Sequence, residues 1–197
     1  MYMLMEEWVA PGGDSAPKLE SIGLGLGRHP RFAGQTRRPY NVLAHSFVVA
    51  SFLLPEHRVH GLLHDAGEAV LGDIPTDWKT EADREREGRL MARIYKGLGL
   101  EAPHPIVCLA VKEADKRALS AEATLLLPKT CECAPEFAIR HVGHWEIGHL
   151  DVDIAALWIE RCEEWQSWQT PDGHWVRWFV DAVRAVLPKP ETIKDHR

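Results

Sequence analysis

The sequence predicts an all-α protein of roughly seven helices. Three observations carry that prediction. Apolar residues recur at helical spacing in one segment after another, capping and stopping residues stand at the segment ends, and strand-like alternation is nearly absent. The chain has 197 residues, 45% of them hydrophobic and 26% charged, a soluble globular composition with room for one substantial core. No internal repeat and no linker between two cores is visible. The expected organisation is a loosely ordered segment over residues 1–17, one helical domain over 18–188 and a tail over 189–197.

The elements follow in order. Leu19, Ile22 and Leu26 have helical spacing, although Gly23, Gly25 and Gly27 each weaken a helix by about 1 kcal/mol relative to Ala. A basic loop, Arg28 to Pro39, comes next. Asn41 is a good N-cap for a helix reaching Leu54, which Pro55 stops, with His45 on the same face as Val49 and Phe52. A further helix is expected over Arg58–Leu71, ended by Gly72, and Ile74-Pro75-Thr76 reads as a turn. Thr80 and Asp83 have capping-box spacing for a charged amphipathic helix to about Lys96. Pro103 and Pro105 open a long helix to Leu127 that carries Asp115. Lys129 to Leu150 reads as loop. Asp151 or Asp153 is expected to cap a helix to Trp168, residues 170–173 turn, and His174 to Leu187 forms the last helix.

The formal net charge of −6 argues against a protein that coats nucleic acid, since neutralising phosphates takes a basic excess. Neither a signal peptide nor a membrane span is indicated, so cytoplasm is the expected location. Cys108, Cys131, Cys133 and Cys162 are too few for a disulfide framework in a chain this long.

The chemistry concentrates in Gly61-Leu62-Leu63-His64-Asp65-Ala66-Gly67-Glu68, an apolar run that holds an imidazole and two carboxylates. Burying such carboxylates without a partner costs several kcal/mol, so a cation or ion pair is expected opposite them. His45 on the preceding helix and Asp115 on a later one complete the pattern H…HD…D. Glu68 is i+4 from His64 and i+3 from Asp65, and therefore shares their helix face.

Asn41-Val42-x-x-His45-Ser46, His64-Asp65-x-x-Glu68, Gly72-Asp73-Ile74-Pro75-Thr76 and Glu113-Ala114-Asp115-Lys116 together resemble the HD-domain metal-dependent phosphohydrolases. Within that superfamily the pattern is most similar to bacterial 5′-deoxynucleotidases and related phage enzymes acting on deoxynucleotides such as dATP. It runs from about Leu19 to Leu127. The resemblance implies a single HD-domain helical bundle and one divalent metal ion held by His45, His64, Asp65 and Asp115. This mixed nitrogen and oxygen set suits Co, Mn, Mg, Fe or Zn. It further implies that Glu68 orients or deprotonates water, that Asp73 is a catalytic carboxylate and that Arg31 holds phosphate. Where the deoxynucleotidases have Arg-Trp, this chain has Arg31-Phe32. Arg28, Arg37 and Arg38 are candidates for further phosphates.

The implied function is hydrolysis of a deoxynucleoside 5′-monophosphate, with triphosphate hydrolysis and a non-catalytic nucleotide sensor as alternatives. Expected partners are a nucleotide and further copies of the chain, as a dimer or larger homo-oligomer, with no membrane and no stable nucleic acid. Taken singly, His45 would be a core histidine and Asp115 a surface acid; the joint pattern is what gives them a role. His57 and His60 are expected to be partly exposed. A rival metal site, Cys131-x-Cys133 with His141-x-x-His144, offers a zinc-compatible donor set at unusually tight spacing. The tryptophans of the C-terminal third, Trp158, Trp165, Trp168, Trp175 and Trp178, suit a core or a subunit interface.

Overall fold

A computed structural model describes residues 17–74, 76–127, 149–167, 174–185 and 187. The expectations for residues 1–16 and 189–197, for the turn at 170–173 and for the cluster of Cys131, Cys133, His141 and His144 lie outside these. The described residues are all-α, with eight α-helical segments: α1 (Leu19–Arg28), α2 (Val42–Ser51), α3 (Arg58–Leu63), α4 (Glu68–Leu71), α5 (Glu81–Gly97), α6 (Pro105–Leu126), α7 (His149–Ser167) and α8 (His174–Arg184). They make seven if α3 and α4 are counted as the single helix expected from the sequence. No helix among them is long and apolar enough to cross a membrane.

Helix α2 is the axis of the packing. Its sequence, Val42 to Ala50, is apolar nearly all round, and every one of those residues is buried, as a helix with no polar face must be. Asn41 caps it, its side chain accepting from the Ala44 N–H at 2.9 Å. One side of α2 presents Val42, Leu43 and Phe47 to a core built with α1, α3 and α8. The other presents Val48 and Val49 to Ala114, Ala118 and Ala121 of α6 and Ala155 of α7, where small side chains bring three helices close. Tyr40, Ala44, Leu126, Ile159 and Cys162 form a third cluster beside them. His45 is thereby held in the interior with no solvent exposure.

One of the glycines that weaken α1 on paper marks its close approach to the segment carrying Glu68. A Cβ on Gly25 would stand 2.8 Å from both the carbonyl oxygen and the Cβ of Ala69 in α4. Only glycine lets α1 lie that near the segment carrying Glu68. Gly61 does the same between α3 and α2, where a Cβ would come within 2.9 Å of Ala50 Cα.

Two expectations are corrected. The helix expected over Arg58–Leu71 is broken: residues 64–67 form tight turns, with Ala66 N donating to Leu63 O and Glu68 N to Asp65 O, both at 2.9 Å. The His64 ring competes for the helix backbone by donating from Nδ1 to Gly61 O at 2.7 Å. Near the C-terminus, α7 begins at His149, inside the stretch expected as loop, and Asp151 is a buried first-turn residue rather than a cap. Its carboxylate is taken by the Arg117 guanidinium of α6, at 3.1 and 2.5 Å. The capping box at Thr80 and Asp83 is as expected.

Candidate metal centre

Four elements deliver the site. Helix α2 supplies His45, the turns after α3 supply His64 and Asp65, α4 begins with Glu68, and α6 supplies Asp115. The ligand atoms of His45, His64 and Asp115 lie within 4.8 Å of one another. His45 Nε2 is 3.0 Å from Asp115 Oδ1, His64 Nε2 is 3.1 Å from Asp65 Oδ2, and His45 Nε2 is 3.7 Å from that same oxygen.

The orientation of the rings bears on what belongs there. Each imidazole spends Nδ1 on the protein: His64 on Gly61 O and His45 on Glu122 Oε1 at 2.8 Å. Each Nε2 is buried and faces a carboxylate oxygen, His45 toward Asp115 and His64 toward Asp65, in ion-pair contact rather than in hydrogen-bond geometry. Two ring nitrogens turned toward two carboxylates at these distances fit a cation between them. The donor set of two imidazoles and two carboxylates fits a divalent metal.

Electrostatics point the same way. Burial and the Arg31 guanidinium push the His45 imidazole down, but Glu122 and Asp115 outweigh them and bring it up to about 10. Burial lowers His64 also, yet the neighbouring Asp65 carboxylate leaves it raised. Asp65 is held well below the usual carboxylate range because His64, His45 and Arg31 overcome the cost of its burial. The carboxylates thus favour positive charge on their neighbours, whether protons on the imidazoles or a cation between them.

Glu122 is the residue that sequence reading missed. It is fully buried, accepts from His45 Nδ1 and from the Tyr40 hydroxyl at 2.8 Å each, and has Arg31 Nη2 3.8 Å from its other oxygen. A carboxylate behind a ligating imidazole fixes the tautomer and ring orientation, leaving Nε2 free to ligate. A signal was present. Glu122 lies seven residues after Asp115, two turns along the same face of α6, among Ala118, Ala121 and Ala123.

Glu68 is 5% exposed, and one of its carboxylate oxygens has no hydrogen-bond partner. Burial together with Asp65 and Asp73 pushes its carboxyl up to about 9, against the opposing pull of Arg31 and Lys79. Lys79 Nζ stands 3.8 Å from Glu68 Oε1. Asp73 follows Gly72, whose φ of +82° turns the chain back after α4, and its charge acts on both Glu68 and Arg31.

Of the expected arginines the structure brings in one. Arg31 is nearly buried, with Nη1 3.9 Å from Asp65 Oδ2 and its guanidinium beside Glu122. It precedes an unusual left-handed run, Phe32, Ala33 and Gly34, that reverses the chain. Arg28 is exposed at the end of α1. Arg38 is paired through both guanidinium nitrogens with Glu163 of α7, and Arg37 donates to Leu125 O. These three are held on the surface rather than at the cluster. His57 and His60 are partly exposed, as expected, and His60 Nδ1 bonds the Tyr95 hydroxyl at 2.9 Å instead of joining the ligands. Trp158 is half-buried, stacked on Phe47 at 4.5 Å, and Trp175 packs against the core.

No protein-family model matches the chain. An uncharacterized protein of Rhodobacter capsulatus is 35% identical over 120 residues, which cover 54% of this chain and 61% of that protein. The chain thus spans less than two thirds of the length of the curated relative it matches.

Proposed function

We propose that the chain is a divalent-metal-dependent phosphohydrolase of nucleotides, with deoxynucleoside 5′-monophosphates as its substrates. The observation that supports this most is the meeting of two buried imidazole nitrogens with two carboxylates beside a nearly buried arginine. His45, His64, Asp65 and Asp115 would hold the metal. When bound, a divalent cation supplies Lewis acidity toward a phosphoryl oxygen and acidifies water.

The remaining steps belong to the chain's own residues. Arg31 offers a forked set of donors to phosphate oxygens, which are the acceptors best matched to a guanidinium. Glu68, with a free carboxylate oxygen and a raised proton affinity, takes the proton of the attacking water as the oxygen–phosphorus bond forms. Its buried setting keeps it basic, and a divalent charge nearby would bring that basicity back toward neutrality. Asp73, whose charge acts on both Glu68 and Arg31, would handle the proton on the departing oxygen. Glu122 acts through His45 and is a positioning residue.

The test is a screen of deoxynucleoside and ribonucleoside mono- and triphosphates and cyclic nucleotides with Mg, Mn, Co and Zn, resolving the products. Phosphate release from deoxynucleoside monophosphates is expected, whereas triphosphate release from dATP would move the reading to the phage-like alternative. Turnover of nothing with any metal would overturn it.

A further inference from the structure

The cavity between α5 and α6 has His64 and Asp115 in its wall and adjoins the metal centre. A second cavity, of about 340 Å³, contains none of the candidate ligands in its wall, nor Arg31, Glu68 or Asp73. It is formed by the end of α1 and the loop leading to α2. Arg28, Arg37 and Arg38 line it together with Thr36, Tyr40 and Asn41, and no Asp or Glu does. Three arginines thus gather away from the metal centre, in a chain whose net charge is −6.

The loop that shapes this pocket is tied at several points. Arg31 N donates to Tyr40 O and Val42 N to His29 O, both at 3.0 Å, closing the loop at its base around the bridge of Pro30 to Asn41. Arg37 N donates to Leu126 O at 2.8 Å and anchors the loop to the end of α6. Between these ties Phe32, Ala33 and Gly34 reverse the chain at φ of +53°, +51° and +74°. Residues with a β-carbon adopt that conformation at a cost, so it persists where the surroundings fix it. The donors of the pocket are only partly spent. Arg37 uses Nη2 on Leu125 O, and Arg38 uses Nε and Nη2 on Glu163. Arg28 forms no ion pair or hydrogen bond with a described residue. All three arginines are exposed.

We propose that this pocket binds a compact, multiply charged phosphate anion of the pyrophosphate class, at a site separate from the metal centre. Guanidinium groups match phosphate oxygens with paired N–H donors. Arg38 is shared with Glu163, so Arg28 and Arg37 carry most of the unmatched charge. The volume is at the low end of the roughly 300–1,000 Å³ of small-molecule sites, which suits a small anion. A nucleic-acid backbone would call for an extended basic surface, whereas these arginines line one small pocket of an acidic chain. A loop already fixed loses little backbone freedom when the anion enters. The site is independent of whether the metal centre hydrolyses nucleotides.

The full chain is titrated at physiological salt with pyrophosphate, citrate and a single-stranded oligonucleotide, by calorimetry and amide NMR, with chelator present because divalent ions bind pyrophosphate. One pyrophosphate per chain is expected, moving the amide signals of Gly34, Thr36 and Asn41. Arg28→Ala and Arg38→Ala, both at exposed positions, should each weaken it at least fivefold while keeping the folded amide spectrum. Movement at His64 and Gly67 in place of the loop would put the anion at the metal centre and overturn the proposal. So would citrate or the oligonucleotide binding as tightly as pyrophosphate, unchanged affinity in either variant, or no saturable binding of pyrophosphate at all.

Discussion

His45 illustrates how much one side chain depends on its surroundings here. Alone on an apolar helix it would be a satisfied core histidine; Glu122 behind Nδ1 and Asp115 before Nε2 orient it as the proposed ligand would be. Replacing the carboxylate by an amide in Glu122→Gln should keep the fold but loosen the ring's orientation, weakening metal affinity about 10- to 100-fold. Competition against a metal-sensitive dye would measure it, and unchanged affinity would show that Glu122 serves only Tyr40 and Arg31. Asp65→Ala and Glu68→Ala separate binding from turnover. Asp65→Ala should lose metal and activity together, whereas Glu68→Ala should keep the metal and lose about 10²- to 10⁴-fold in rate. The sequence exposed His64, Asp65 and Glu68 because three polar groups in an apolar run demand an explanation. It hid Glu122, since an acid flanked by alanines on a helix looks the same whether it faces water or an imidazole.

Helices were legible where periodicity and caps agree, as at Asn41 and at Thr80 with Asp83. The break after α3 was not, since periodicity carries no trace of the bond from the His64 ring to Gly61 O that accompanies it. Arg117 pairing with Asp151 was hidden for a similar reason, joining α6 to α7 across 34 residues. The glycines of α1 gave the opposite lesson. Propensity alone marks them as defects, while the approach of Gly25 to Ala69 makes one of them a spacing device for the segment that holds Glu68. Gly25→Ala should therefore destabilise the protein by about 1–3 kcal/mol through overpacking, despite the helix propensity it gains. Thermal unfolding checks this, and a rise in Tm would mean that α1 and α4 are not in contact as described.

At the scale of the molecule, the interior holds more charge than a stable core needs. Arg31, Asp65 and Glu122 lie together beneath the surface beside Glu68, and burying that many ionisable groups for stability alone would be a poor exchange against apolar packing. A bound cation, as proposed, would resolve the imbalance and couple loading to folding. At a free metal concentration 100 times the dissociation constant, binding should add about 2.7 kcal/mol of stability. For a chain of this size that corresponds to a Tm higher by about 5–10 °C. All-α architecture could be read from spacing and the four candidate ligands from the family resemblance, but which cavity adjoins them could not, since it is assembled from α5 and α6 by tertiary packing. The most direct measurement is metal stoichiometry by mass spectrometry on chelator-stripped, reloaded protein, with His64→Ala alongside. About one divalent ion per wild-type chain and none in the variant is the expected result. Equal metal content in the two, or none in either, would contradict the metal centre.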